Sequence, residues 1–229
     1  LEYSLVIKVK ENTSMKKDLI EMVFILDRSG SMSGLESDTI RGFNGFIEKQ
    51  RKLPGEAIIS TVLFDHDFEV LHNRANIQTI SPLTTEEYFV RGSTALLDAI
   101  GRSILKIVSV YKKTNEKNQP EKTVFIITTD GMENASREFS SRKIKEMIEY
   151  QKEKYNWEFI FLGANIDAVE TAREFGINSD RAATFHSDKD GTSLNYLIID
   201  QTISELRMTK AISENWKDKI ESDYKKRSK

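Results

Sequence analysis

Two stretches of this chain are apolar without a polar face, and each stops abruptly at an aspartate. Met22 to Leu26 runs into Asp27-Arg28-Ser29-Gly30-Ser31-Met32-Ser33-Gly34, and Thr123 to Thr129 runs into Asp130-Gly131-Met132-Glu133-Asn134. A strand that does not alternate must be covered on both faces, which is the situation of a parallel sheet sandwiched between helices. The segments between the strands read accordingly as amphipathic helices.

Ile40, Phe43 and Ile47 mark the buried stripe of a helix that runs to about Leu53 and is stopped by Pro54-Gly55. Gly42 and Gly45 weaken that helix, which predicts close packing against a sheet. Ala57 to Phe64 is the next strand. Asp65-His66-Asp67 reads as an exposed hairpin turn into Phe68 to Leu71, since adjacent turn residues converge poorly on one centre. Asn76 to Gly92 reads as irregular. Leu97, Ile100, Ile104, Val108 and Tyr111 form a second helical stripe, and Ser141 to Tyr155 a third. Trp157 to Leu162 and Arg181 to Phe185 are expected strands, Ile166 to Phe175 a short helix, and Asp188 to Gly191 a turn. From Leu194 onward the pattern is helical, with Leu206, Ile212, Trp216 and Ile220 as contacts.

This alternation predicts an α/β fold: a doubly wound, mostly parallel central sheet flanked by helices on both faces. Residues 15–190 are expected to form the domain and 191–229 a C-terminal helical extension packed on it. In residues 1–14, Leu1, Tyr3, Leu5, Ile7 and Val9 alternate as in a half-exposed strand. That segment is either an added edge strand or foreign sequence lying upstream of Met15.

At 229 residues the chain can bury a full core. Its 34 basic and 36 acidic residues leave a net charge of −2, which argues against wholesale binding to a nucleic-acid backbone. No stretch is long enough to cross a bilayer. The apolar run after Met15-Lys16-Lys17 ends after about five residues, short of the ~7–15 of a signal peptide. With no cysteine in the chain, disulfides and thiolate metal sites are excluded and a cytoplasmic location is expected.

In the first turn Asp27, Ser29 and Ser31 stand two apart, so a tight turn can aim three oxygens at one point. One carboxylate with two hydroxyls is a hard, weakly charged donor set, suited to Mg²⁺ or Mn²⁺ rather than zinc. Serine and glycine also favour strand-to-helix turns for purely conformational reasons, and this turn alone supports both readings. Open α/β sheets place their sites beyond the carboxyl ends of strands, where strand order reverses. Asp27 and Asp130 both sit at such ends, and Thr94 precedes a helix, so three turns can meet at one rim.

Asp27-Arg28-Ser29-Gly30-Ser31, then Gly92-Ser93-Thr94-Ala95-Leu96, then Thr129-Asp130-Gly131 resemble the von Willebrand factor A domain. The hallmark of that family is a metal-ion-dependent adhesion site built from an Asp-x-Ser-x-Ser turn, a distant Thr and a distant Asp. All three pieces occur in the family's order, over roughly Lys17 to His186. The resemblance implies direct metal contacts from Ser29 and Ser31, a direct contact from Thr94 in one state, and water-mediated contacts from Asp27 and Asp130. The short opening without a signal resembles stand-alone bacterial or phage members. Glu133, Asn134 and Ser136 lie near the third turn, with loop hydrogen bonding as their ordinary role.

Mg²⁺ prefers six oxygens and keeps several waters, and two carboxylates would leave such a site formally neutral and short of ligands. The expectation is therefore a non-enzymatic, Mg²⁺-dependent (or Mn²⁺-dependent) module whose partner is a protein offering an Asp or Glu to the metal. No nucleophile with an adjacent base accompanies the set, and His66, His72 and His186 are scattered. Two alternatives stand beside it: a Mg²⁺-dependent phosphohydrolase with Asp27 as nucleophile, and a metal-independent scaffold.

Overall fold

The structure is a computed structural model and describes residues 15–228. The expected strand at 1–14 lies outside the described residues. β1 (Lys16–Asp27) is the hub of a six-stranded sheet whose order is β3-β2-β1-β4-β5-β6. β2 (Glu56–Phe64) lies parallel to it on one side and β4 (Pro120–Thr129) on the other. β3 (Phe68–Asn76) is antiparallel to β2, while β5 (Glu158–Ala164) and β6 (Ala182–Phe185) continue in parallel beyond β4.

The two faces of β1 explain its unbroken hydrophobicity. Met22, Phe24 and Leu26 join a core with Phe43, Phe46 and Ile47 of α1 (Glu36–Gln50) and Ile198, Ile199 and Ile203 of α5 (Lys189–Thr209). Val23 and Ile25 point the other way. They pack with Ile100 and Ile104 of α2 (Leu96–Lys113), Ile144 and Ile148 of α3 (Ser141–Tyr155), and Ala168 and Ala172 of α4 (Ala168–Glu174). The sheet is thus doubly wound. Ile212, Trp216 and Ile220 return to the first core, and Ile220 belongs to α6 (Asp218–Arg227), which lies against β6.

Strand order reverses between β1 and β4, and the register sets Leu26 beside Thr128. Asp27 and Thr129 therefore end the two central strands side by side, at the place where such sheets open a crevice.

Four expectations need correction. β3 does not stop at Leu71 but runs to Asn76, because its antiparallel ladder with β2 continues to the Ile58–Asn76 pair; Arg74 also binds the buried Glu21 at 2.7 and 2.9 Å. Asp188 to Gly191 is no free turn: Asp188 is the N-cap of α5 and accepts from the Gly191 amide. Asp65 is fully buried rather than exposed, and the ligand atoms of Asp65, His66 and Asp67 do converge, within 4.8 Å of one another. Gly42 packs against a helix, not the sheet. A Cβ there would lie 2.1 Å from the Tyr196 ring of α5, whereas one at Gly45 would meet nothing within 4 Å.

The two glycines should therefore respond oppositely to the same change. Gly45→Ala should stabilise the protein by ~0.5–1 kcal/mol through helix propensity. Gly42→Ala should destabilise it by ~1–3 kcal/mol, since the overpacked α1–α5 contact outweighs that gain. Urea denaturation midpoints read both.

Candidate functional site

Three loops are tied into one rim: the one leaving the carboxyl end of β1, the segment that leads from β3 into α2, and the one leaving the carboxyl end of β4. The first follows Asp27 and makes a single 3₁₀ turn over Gly30–Met32, with Met32 buried beneath it. Backbone bonds from Gly30 N–H to the Gly92 carbonyl (3.1 Å) and from Arg91 N–H to the Arg28 carbonyl (2.9 Å) pin it to the second loop. The third loop, after Asp130, is joined to the second by the Asn134 amide on the Thr94 carbonyl (3.0 Å) and by Asn134 Oδ1 accepting from Thr94 N–H (2.9 Å).

The expected hydroxyls meet there. Ser29 Oγ is 3.0 Å from Ser31 Oγ, and the Thr94 hydroxyl donates to Ser29 Oγ at 2.9 Å. Ser29 and Thr94 are buried, and Ser31 is exposed at the mouth. Asp27 lies at the base of the cluster. Its Oδ1 accepts from the Ser29 amide at 2.7 Å and its Oδ2 from the Thr129 hydroxyl at 2.6 Å. Asp130 is equally buried; the Ser187 hydroxyl donates to its Oδ2 at 2.9 Å, while its buried Oδ1 has no hydrogen-bond partner among the described residues. The Tyr88 hydroxyl donates to the Asp27 carbonyl from below.

A carboxylate in so dry a place is costly to ionise. Burial pushes the Asp27 carboxyl up to about 6, the hydrogen bonds from Thr129 and Ser29 pull the other way, and the Asp130 charge adds to the rise. The arrangement suits a small, hard divalent cation on three counts: clustered neutral hydroxyls, paired carboxylates, and a buried carboxylate oxygen without a partner. Gly131 makes room for the cluster, since a Cβ there would lie 2.9 Å from Ser31 Oγ and 3.2 Å from Thr94 Oγ1.

Around the cluster the polar residues hold the loops rather than reach into it. Arg28 is fully buried and donates to Asp65 Oδ2 at 2.9 Å, and Arg91 donates to the same oxygen at 2.9 Å. Burial raises the Asp65 carboxyl, but the Asp67 amide and the Arg91 and Arg28 guanidiniums outweigh it and hold Asp65 below its usual range. Asp65 is thus already saturated by cations of the chain itself. Glu133 accepts from the Leu97 amide, capping α2 from outside, and Ser136 accepts from the Asp98 amide. Glu133, Asn134 and Ser136 are loop-holding residues, as expected. Thr129, Ser187 and Tyr88 were not anticipated as site residues. Thr129 was adjacent to a motif aspartate, but Ser187 and Tyr88 carry no sequence signal.

No family model and no curated protein matches the sequence. The fold does match solved structures. Proximal thread matrix protein 1 from the mussel byssus superposes with a TM-score of 0.57 at 14% identity, over 82% of this chain and 47% of that one. The same mussel protein has been solved with a zinc-occupied MIDAS motif, the metal-ion-dependent adhesion site. The manganese-loaded TRAP protein of Plasmodium vivax gives 0.53 at 17% identity, over 79% and 74% of the two chains. The von Willebrand factor domain of the type V pili tip protein Mfa5 from Porphyromonas gingivalis gives 0.56 at 10% identity, over 80% and 94%. This chain has the von Willebrand factor A fold, and it spans about half the length of the mussel protein. Among the described residues no helix is long and apolar enough to cross a membrane.

The raised Asp27 carboxyl predicts a trade between stability and binding. Its folded value of about 6 lies above the unfolded ~3.9, so the cation-free protein loses stability as pH rises between the two. Complete ionisation costs on the order of 3 kcal/mol at neutral pH. Asp27→Asn should therefore raise the melting temperature in EDTA at pH 7.5, while abolishing any further rise on adding Mg²⁺ or Mn²⁺. Thermal melts in the four conditions check it.

Proposed function

We propose that this chain is a cytoplasmic, Mg²⁺-dependent protein-binding module that captures an Asp or Glu of a partner protein at the rim. The observation that carries the reading is the gathering of Ser29, Ser31 and Thr94 hydroxyls above Asp27 and the partnerless Oδ1 of Asp130. Ser29 and Ser31 would ligate the ion directly, Thr94 directly in one state, and Asp27 and Asp130 through waters. Mn²⁺ would serve in place of Mg²⁺, since both take hard oxygen ligands. Manganese-loaded and zinc-occupied relatives of the same fold support a metal at this rim.

The two carboxylates would balance the ion's charge, and an incoming carboxylate would take the place of a water at the exposed Ser31 side. Partial desolvation at the rim strengthens that attraction relative to open water. Asp27 favours this role over that of a nucleophile, because both of its oxygens are already held, by the Ser29 amide and the Thr129 hydroxyl. Among the described residues no histidine is hydrogen-bonded to the cluster; His72, for example, pairs with Thr61 and stacks on Phe43.

Capture of host proteins on immobilised chain, with Mg²⁺ or EDTA and with a Ser29→Ala control, tests the proposal. A specific partner should be retained only with Mg²⁺ and only by the unaltered chain, at least tenfold above the control. Retention that survives EDTA and Ser29→Ala would point to a metal-independent scaffold instead. Turnover of generic phosphoesters with Mg²⁺, abolished by Asp27→Ala, would replace the binding role with an enzymatic one.

A further inference from the structure

The Asp130 carboxylate has one hydrogen-bond donor among the described residues, the hydroxyl of Ser187, which lies 57 positions away in the β6–α5 connection. Oδ2 is held at 2.9 Å, and among the described residues the buried Oδ1 has no partner. Thr129 does the same for Asp27 at 2.6 Å, so each carboxylate is aimed by one hydroxyl. Thr129 sits on β4, a central strand. Ser187 sits on a three-residue connection and needs another anchor.

α6 supplies it. The His186 ring lies against Tyr224 with centroids 4.7 Å apart, and its Nε2 is 3.2 Å from the Tyr224 carbonyl. On the other side of Ser187, Asp188 is paired through Oδ2 with Arg227, while its Oδ1 caps α5. Both neighbours of Ser187 are thus gripped by the same C-terminal helix. The helix is in turn fastened near β6, since the Trp216 indole N–H donates to the Asp180 carbonyl at 2.7 Å and Lys217 to the Ala182 carbonyl at 2.9 Å.

From this geometry we infer that Ser187 is a positioning residue for Asp130, and that α6, clasping His186 and Asp188, holds it in place. The inference rests on the cation-binding reading of the rim for its consequence, a higher affinity for the ion. Residues that orient a ligand from outside the coordination sphere typically contribute 10–100-fold in metal affinity. Ser187 belongs to that class. It also makes the far end of the chain part of the site, although α6 contributes no side chain to the rim.

Mn²⁺ titration of the full chain, followed by the electron-spin signal of the free ion, is the test. Ser187→Ala should weaken Mn²⁺ binding about tenfold, Ser187→Thr should restore it, and Tyr224→Ala should weaken it with Ser187 intact. A second readout needs no metal: the ¹³C shift of the Asp130 carboxyl at pH 7.5 in EDTA should move in Ser187→Ala and Tyr224→Ala and return in Ser187→Thr. Unchanged affinity and unchanged shift in both weakened variants would overturn the inference, and a fall in melting temperature alone would assign Ser187 a merely structural role. If the unaltered chain takes up no Mn²⁺, the cation-binding reading fails, and the Asp130 shift then decides the positioning role by itself. Should Ser187→Ala not fold, Tyr224→Ala carries the same comparison.

Discussion

Asp27 and Asp130 are buried where the two central strands of a hydrophobic sheet end, and the rim is built around that pair of carboxylates. Each must find compensation for lost hydration, and among the described residues neither is paired with a lysine or arginine. Asp27 takes an amide and a hydroxyl, and Asp130 takes one hydroxyl. What remains is a raised carboxyl on Asp27 and an unsatisfied oxygen on Asp130. A fold that carries such a burden at its centre stores it where a cation can relieve it.

The surrounding charges are managed in the opposite way. Arg28, next to Asp27 in sequence, turns away from the rim and is neutralised underneath by Asp65, with Glu69 at 2.8 Å on its other side. Arg91 shares Asp65, and the guanidiniums of Arg28 and Arg91 lie over the Phe89 ring at 5.5 and 5.6 Å. Positive charge is thereby kept out of the oxygen cluster while the loops that bear it are locked together. A buried pair of this kind is a fastening whose rupture exposes an uncompensated charge, so the rim is rigid where its backbone is most irregular.

Much of this was readable in one dimension. Unbroken apolarity at Met22–Leu26 and Thr123–Thr129 called for two-sided cover, and the core clusters show Val23 and Ile25 facing one helical layer and Phe24 and Leu26 the other. Ser141–Tyr155 was legible as a helix because its apolar stripe is regular; that Ser140 caps it, accepting from the Lys143 amide, came from the structure. Asp65 misled because a carboxylate in an Asp-His-Asp turn ordinarily faces water, and the cations that bury it come from positions 28 and 91. Gly42 misled for a similar reason: its close neighbour, Tyr196, is more than 150 residues away.

The amino-acid order alone determined the succession of strands and helices and the placing of Asp27 and Asp130 at strand ends, because apolar periodicity and turn chemistry act over a few neighbouring residues. Which oxygens share a point was a matter for the tertiary structure. The β1–β4 register puts Thr129 against Asp27, and the return of the C-terminal helix along β6 delivers Ser187 to Asp130. Such contacts depend on the rigid-body packing of elements far apart in the chain, to which no local pattern is sensitive.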